Sequence, residues 1–286
     1  MTVHARSSFI EVDGHRLHCV SAGAAGTPVV LLHGYGVSGA YMLPLARVLS
    51  RSFSVLVPDL PGCGKSGRSS TVLGVGELAG LVGDLLDALE VTAPTIVANS
   101  FGCQIATALA VERPQSVGAL VLIGPTVDPK RRSGRHQLLS ALRALTSEPE
   151  SLIIEGVRGT KRQTAFDLIA TARVILADRI EDRLPLVTQP SVVVVGERDT
   201  FVDAAWGRRA AELLPDGRLV TVPGAPHAVH YTDPELIAGL VRGLEVEEGS
   251  DRSGQFVGSL EHRHVSALEE HEPSLRDQPL PLPSQA

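Results

Sequence analysis

The stretch TIVANSFGCQ, residues 95–104, places Ser100 between a short apolar run and an alanine-rich segment. The run TIVAN has the length and β-branched content of a buried strand. The segment FGCQIATALAVERP predicts a helix that ends before Pro114, and its small side chains allow close packing against a sheet. Ser100 therefore lies at a strand-to-helix junction, where a sharp turn can expose a nucleophilic hydroxyl. A serine that only forms a turn or a helix cap would occupy the same position.

Short apolar runs and helical patterns alternate along the rest of the chain. Asp13-Gly14 predicts an opening β-hairpin, because both residues tolerate the positive φ of a type I′ turn. Leucine and valine recur at helical spacing over residues 78–89, and Asp233-Pro234 suits the start of a late helix. This alternation predicts an α/β fold with a mostly parallel sheet and helices on both faces. The other predicted strands are PVVLL (28–32), SVLVP (54–58), ALVLIG (119–124), SVVVVG (191–196) and RLVTV (218–222).

The composition of the chain changes twice. Residues 8–126 and 189–246 carry the strand–helix alternation and are predicted to form one core domain. Residues 127–188 between them contain helix-like segments, which predicts a helical cap above the sheet. Residues 247–286 have few large apolar residues and a proline-rich end, so we expect a disordered tail. The basic run at 129–135 is interpreted as a solvated loop, with a site for substrate carboxylates as the alternative.

Charge and composition favour a small-molecule partner. The formal net charge of −6 argues against binding to nucleic acid or anionic membrane. The N-terminal segment lacks a signal-peptide pattern, and no apolar run approaches the roughly 18 residues of a membrane span. We therefore expect a cytoplasmic protein. Its three cysteines, Cys19, Cys63 and Cys103, match neither a metal nor a disulfide pattern, so we expect no metal.

The loop HGYG, residues 33–36, follows the first predicted parallel strand. Its backbone can approach Ser100 from the neighbouring strand end, and stabilising a developing oxyanion needs two N–H donors. We assign these donors to the backbone N–H groups of Tyr35 and Phe101. His33 is interpreted as a structural hydrogen-bonding residue, and Gly34 and Gly102 as the small residues that these turns require.

An acid and a histidine follow two later strands. Asp199 comes after the strand at 191–196, and His227 comes after the strand at 218–222. Because parallel strands end at one edge of the sheet, both side chains are expected beside Ser100. His227 would accept the proton of the Ser100 hydroxyl, and Asp199 would orient the imidazole. Three neighbours are alternatives for these roles: Asp203 and Asp128 for the acid, and His230 for the base.

With these residues the chain resembles the α/β-hydrolase family from about residue 8 to residue 246. The matching motifs are the His-Gly loop at 33–34, the D-x-x-G-x-G-x-S stretch at 59–66, and the elbow at Ser100. Asp199 and His227 follow in the order that the family uses. The resemblance implies a serine hydrolase that needs no cofactor, with residues 127–188 as a lid over its substrate pocket.

The elbow departs from the family pattern in ways that affect the expected substrate. Ala98 replaces the first glycine, and Asn99 resembles the elbow of hydrolases that cleave carbon–carbon bonds in meta-cleavage products. Those hydrolases usually have tryptophan after the catalytic histidine, whereas this chain has Ala228. We therefore predict hydrolysis of a small carboxylic ester. Carbon–carbon bond hydrolysis and a non-catalytic small-molecule receptor are the alternatives.

Two groups of residues near the motifs could contact a substrate. Tyr41, Phe201 and Tyr231 could line the pocket, although ordinary core packing would also explain them. A substrate carboxylate, which the carbon–carbon alternative would require, could be held by cap arginines. These are Arg131, Arg132, Arg135, Arg158, Arg162 and Arg173.

Overall fold

Eight strands form the central sheet: β1 (Arg6–Val12), β2 (His15–Ala22), β3 (Pro28–Leu32), β4 (Ser54–Pro58), β5 (Thr95–Asn99), β6 (Ala119–Ile123), β7 (Ser191–Gly196) and β8 (Gly217–Val222). Their order across the sheet is β1-β2-β4-β3-β5-β6-β7-β8. The hairpin β1–β2 and the pair β2–β4 are antiparallel. All remaining neighbours are parallel. The sheet confirms the predicted α/β fold and its opening hairpin.

The central strands are buried on both faces of the sheet. Every residue of β5, β6 and β7 is buried, which explains why these strands appear in the sequence as continuous apolar runs. Leu32 and Ala98 face one hydrophobic cluster, whereas Leu31 and Val97 face the other. Alternate side chains of each strand thus enter separate cores, which fixes the strand register.

Ten α-helices lie in the described chain: α1 (Leu43–Leu49), α2 (Val75–Ala88), α3 (Phe101–Glu112), α4 (Gly134–Ser147), α5 (Glu150–Gly159), α6 (Ala165–Ala177), α7 (Ile180–Arg183), α8 (Ala204–Leu213), α9 (Val229–Thr232) and α10 (Pro234–Gly249). Buried residues of α2, α3 and α8 belong to one hydrophobic cluster, and those of α1, α9 and α10 belong to the other. Helices therefore cover both faces of the sheet, as predicted. The carboxylate of Asp233 caps α10 by accepting a hydrogen bond from the N–H of Leu236 at 3.1 Å.

The computed structural model describes residues 5–23 and 26–249. The chain divides into a first unit of residues 1–246 and a second unit of residues 247–286. The sheet belongs to the first unit. The predicted disordered tail lies outside the described residues, apart from the end of α10.

Four helices, α4 to α7, connect β6 to β7. We call residues 127–188 the cap segment. Within it the sequence pattern predicted α4 and α6 but not α5, whose sequence ESLIIEGVRG includes two glycines. No strand lies in this part of the described chain, in keeping with its expected helical character.

A buried carboxylate fixes the loop after β4. Asp59 accepts hydrogen bonds from the N–H groups of Gly39 and Lys65, at 2.7 and 2.9 Å, and lies 2.8 Å from Nδ1 of His18. A Cβ at Gly64, whose φ is +52°, would collide with this carboxylate. Burial alone would raise the pKa of Asp59, but the hydrogen bonds from His18 and Lys65 outweigh it and lower that pKa. The loop glycines thus make room for a structural carboxylate.

Removing this carboxylate should destabilise the fold. Asp59→Ala leaves His18 buried without its partner, so we expect the free energy of unfolding to fall by about 3–5 kcal/mol. Urea denaturation monitored by circular dichroism measures the loss. Because folding depresses the Asp59 pKa, the difference from wild type should shrink as the pH falls below the ordinary value of 3.8.

The exposed Asp216 offers a matched control. Asp216→Ala should change the free energy of unfolding by no more than about 0.5 kcal/mol. Equal effects of the two substitutions would contradict the structural role of Asp59.

Candidate active site

Ser100 lies between the end of β5 and the first residue of α3. Its φ of +55° and ψ of −119° belong to a region that non-glycine residues rarely adopt. The N–H of Ser100 donates to the carbonyl of Ile123 at 2.9 Å, which ties the turn to β6. A Cβ at Gly102 would lie 2.7 Å from the Leu32 carbonyl oxygen, so only glycine lets α3 begin this close to β3. The local sequence therefore forces the strained turn that was predicted.

The HGYG loop packs directly against this turn. A Cβ at Gly34 would lie 3.1 Å from Cβ of Ser100, so the loop backbone passes close to the serine. Phe101 begins α3, and its N–H has no acceptor within that helix. Among the described residues, the N–H groups of Tyr35 and Phe101 donate to no backbone carbonyl, and both residues line the cavity that contains Ser100. Both N–H groups therefore remain candidates for the predicted oxyanion donors.

Asp199 and His227 form a direct hydrogen bond. Nδ1 of His227 donates to Oδ2 of Asp199 at 2.7 Å. The other carboxylate oxygen accepts the N–H groups of Phe201 and Val202 at 2.8 and 2.9 Å. Asp199 is completely buried, and these bonds hold it in one orientation. The imidazole is therefore fixed with Nδ1 toward the acid, which leaves Nε2 as its other polar atom.

The electrostatic surroundings of His227 favour its protonated form. Burial lowers the pKa of His227, but the charge and hydrogen bond of Asp199, together with the charge of Glu148, outweigh that effect. The net pKa lies above the ordinary value of 6.5. An imidazole in this setting is suited to hold a proton during a reaction.

The three alternative residues have other contacts. Asp128 accepts the N–H of Lys130 at 2.9 Å, and Asp203 caps α8 by accepting the N–H of Trp206 at 2.8 Å. His230 is fully buried against the ring of Tyr41, and neither of its ring nitrogens has a partner among the described residues. Burial and the charge of His227 lower the pKa of His230 to about 3. The structure thus pairs Asp199 with His227. Within the described chain, none of the three alternatives forms a side-chain hydrogen bond to that pair.

Ser100 and His227 line one cavity of about 260 Å³. Within the described chain no hydrogen bond joins the Ser100 hydroxyl to His227, a contact that is often long in enzymes without substrate. The ring of Phe201 lies 4.8 Å from the His227 ring, centre to centre, and also lines the cavity. The cap segment contributes four large apolar residues to the lining: Leu145, Leu152, Ile153 and Ile175.

Hydrogen bonds of three buried side chains hold the backbone around the site. These side chains are Asn99, Tyr41 and His33. The Tyr41 hydroxyl donates to the Asn99 side-chain oxygen, and the Asn99 amide donates to the carbonyls of Ile123 and His227 at 3.2 and 3.3 Å. Asn99 is thus a bridge between strand ends. The buried His33 donates from Nδ1 to the Gly34 carbonyl at 2.8 Å and accepts the N–H of Leu60 at 3.0 Å. These contacts fit the structural interpretation of His33.

One of the three predicted pocket residues differs from the structure. Tyr231 is not among the residues that line this cavity, because α9 directs its hydroxyl to Ser151 of α5, 2.9 Å away. Tyr41 and Phe201, by contrast, do line it.

The six cap arginines do not line the cavity either. Arg131 and Arg132, in the basic run, pair with Asp203 and Glu181 at 2.7 and 2.5 Å. Arg158 pairs with Glu155 at 2.8 Å. The basic run is therefore held partly by ion pairs, rather than forming a fully solvated loop or a carboxylate site in the cavity.

Within residues 5–23 and 26–249, no group of three or more His, Cys, Asp or Glu side chains is arranged to hold a metal ion. In that part of the chain, no helix combines the length and apolar character needed to span a bilayer.

Comparison with known proteins agrees with the family resemblance of the sequence motifs. A sequence model of the alpha/beta hydrolase family matches residues 29–240. The chain is 27% identical over 261 residues to a 2-hydroxy-6-oxononadienedioate/2-hydroxy-6-oxononatrienedioate hydrolase of Cupriavidus pinatubonensis, covering 77% of this chain and 88% of that protein. It is 28% identical over 272 residues to polyketide synthase ThaQ of Burkholderia thailandensis, where the match covers 85% of this chain and 13% of the synthase. The enol-lactonase from Burkholderia xenovorans has the same fold, with a TM-score of 0.70, 22% identity, and coverage of 84% of this chain and 100% of the lactonase.

Gly124 provides a test of the Asp199–His227 geometry. A Cβ at Gly124, where φ is +55°, would lie 2.6 Å from Cε1 of His227 and 3.0 Å from Oδ2 of Asp199. Gly124→Ala should displace the imidazole, lower the His227 pKa toward or below 6.5, and cost about 1–3 kcal/mol of folding free energy. An NMR titration of the histidine ring protons measures the pKa.

Gly80→Ala is the matched control, because a Cβ there would meet no atom within 4 Å. That variant should titrate as wild type does. An unchanged His227 titration in Gly124→Ala would contradict the packing described for this site.

Proposed function

The chain belongs to the alpha/beta hydrolase family, and we propose that it is a serine hydrolase that cleaves a small carboxylic ester. The observation that carries the proposal is the buried Asp199–His227 pair, which shares a cavity with a strained, accessible Ser100. Ser100, His227 and Asp199 follow the carboxyl ends of β5, β8 and β7. The catalytic roles below are inferred from this arrangement.

Acylation begins at the serine. Oγ of Ser100 attacks the ester carbonyl carbon while Nε2 of His227 takes the hydroxyl proton. The carbonyl oxygen becomes an oxyanion and accepts hydrogen bonds from the N–H groups of Tyr35 and Phe101. Each such donor typically contributes on the order of 3 kcal/mol. Asp199 stabilises the imidazolium and keeps its tautomer fixed.

The tetrahedral intermediate then collapses. Its carbon–oxygen bond to the alcohol breaks, and protonated His227 gives its proton to the departing oxygen. A water molecule then attacks the acyl carbon while Nε2 of His227 takes a proton from that water. The second tetrahedral intermediate collapses by breaking the bond between the acyl carbon and Oγ of Ser100, and protonated His227 returns its proton to that oxygen as the acid leaves. Every proton removed is returned, so the cycle needs no cofactor.

The cap segment is proposed to act as the roof of the site. Leu145 and Leu152, from α4 and α5, line the same cavity as Ser100. An apolar roof keeps bulk water away from the oxyanion and favours a small, largely apolar substrate.

Carbon–carbon bond hydrolysis is a second candidate. The similarity to the oxononadienedioate hydrolase of Cupriavidus pinatubonensis favours it. That relative is named for a substrate with two carboxylates, whereas no lysine or arginine is among the described residues lining this cavity. An uncompensated carboxylate in an apolar pocket is costly. We therefore place ester hydrolysis first.

Ser100→Ala should abolish ester hydrolysis. We expect kcat/KM for p-nitrophenyl esters from acetate to decanoate to fall by about 1,000-fold or more, because the nucleophile is lost. The exposed Ser52 provides a matched control, and Ser52→Ala should retain wild-type rates. Equal hydrolysis by wild type and Ser100→Ala would contradict the assignment. Failure of folded wild type to cleave any ester, with bleaching of a meta-cleavage product, would favour carbon–carbon hydrolysis.

The pH profile should report the state of His227. Only the neutral imidazole can accept the Ser100 proton, so kcat/KM should rise with pH through a midpoint above 6.5. Asp199→Asn removes the main charge that raises this pKa. The midpoint should move to lower pH, and the plateau rate should fall by about 100-fold or more. A midpoint unaffected by Asp199→Asn would contradict the proposed pairing.

A further inference from the structure

Glu148 is a carboxylate in the cavity that the ester mechanism does not use as a reacting group. It follows the last residue of α4 and lines the cavity that contains Ser100. Its Oε1 accepts a hydrogen bond from the backbone N–H of His227 at 2.7 Å. Its Oε2 is buried and has no hydrogen-bond partner among the described residues. One oxygen thus has a structural contact, and the other is unpaired.

A second unpaired polar atom lines the same cavity. Thr126 is only 5% exposed, and its side-chain Oγ1 also has no hydrogen-bond partner in the described chain. Buried polar atoms in native proteins nearly always have partners. Two unpaired oxygens in a pocket with a mostly apolar surface are therefore typical of a site that orients a ligand through the ligand's hydrogen-bond donors.

Glu148 is the one carboxylate among the described residues that line the cavity, and His227 is the one side chain there that can carry a positive charge. The titratable side chains that line it are those of Tyr35, Tyr41, Glu148 and His227, with Asp199 directly behind the imidazole. Among the described lining residues there is no lysine or arginine. Burial raises the pKa of Glu148, and the charge of Asp199 adds to this effect. The charge of His227 and hydrogen bonds from the backbone N–H groups of His227 and Ala228 oppose it, but the net pKa is still raised. A cation beside Oε2 would stabilise the carboxylate, whereas an anion would be repelled.

We propose that Glu148 Oε2, together with Thr126 Oγ1, forms a subsite for a protonated amine in the substrate. The substrate class is then an amino ester, whose ammonium N–H donates to Glu148 while its carbonyl lies at Ser100. This inference rests on the proposed ester hydrolysis and specifies its substrate. It also explains why Glu148 is hydrogen-bonded to the backbone of His227. A carboxylate that binds the ammonium of an amino ester must lie close to the residues that act on the ester carbonyl.

Two pairs of isosteric esters test the subsite on either side of the ester bond. On the alcohol side, 3-(dimethylamino)propyl acetate is compared with 4-methylpentyl acetate. On the acyl side, ethyl 4-(dimethylamino)butanoate is compared with ethyl 5-methylhexanoate. Each pair differs only by replacing a protonated nitrogen with a carbon. Wild type should prefer the ammonium member of one pair by at least tenfold in kcat/KM.

Glu148→Gln should bring this preference close to one, because glutamine keeps an acceptor for the His227 N–H but has no charge. The exposed Glu150, two residues further on, is the matched control, and Glu150→Gln should keep the wild-type preference. A wild-type ratio near one in both pairs, or a preference that survives in Glu148→Gln, would overturn the subsite and leave ester hydrolysis standing.

Binding to Ser100→Ala separates the two proposals. Calorimetry should find that the preferred amino ester binds at least tenfold more tightly than its carbon isostere, and that adding Glu148→Gln removes the difference. If wild type cleaves no ester but this difference in binding is observed, the proposed function fails and the subsite stands. If neither amino ester binds more tightly than its isostere, the subsite is wrong.

Discussion

The hydrogen bond between Asp199 and His227 is the contact on which the site depends, and the strand order makes it possible. The sequence β5-β6-β7-β8 across the sheet puts the ends of four parallel strands side by side. Ser100, Gly124, Asp199 and His227 follow these strands in turn. A side chain at Gly124 would occupy the space of the imidazole, so the contact between acid and base requires the glycine that directly follows β6.

A second aspartate–histidine pair in the same chain shows how surroundings decide a role. His18 Nδ1 lies 2.8 Å from Asp59, and its Nε2 lies 2.8 Å from the Ser7 hydroxyl on the edge strand β1. The polar groups are therefore the same three types as in the candidate site. Ser7, however, stands in a regular strand and is not among the described residues that line the cavity of Ser100. The Asp59 carboxylate is used to fix a loop, whereas Asp199 orients an imidazole that faces a cavity.

The sequence predicted the elements whose signals are local. The strands β3, β4, β5 and β7 have the predicted bounds, because each is a continuous apolar run closed by turn residues. Ser100, Asp199 and His227 could be placed at one sheet edge because each follows a strand. Glu148 could not be found in this way, because it reaches His227 from the cap segment, 79 residues away in sequence. The ion pairs of Arg131 and Arg132 and the contact of Tyr231 with α5 likewise depend on helix packing that no local pattern specifies.

We propose that Ser100 is a nucleophile activated by His227. Labelling with a fluorophosphonate, followed by digestion and mass spectrometry, tests it without knowledge of the natural substrate, because the reagent forms a stable bond to an activated serine. We expect one adduct per chain, on the peptide that contains Ser100, and slower labelling when Asp199 is replaced by asparagine. Folded protein that takes up no reagent, or an adduct at Ser7 in place of Ser100, would contradict the account.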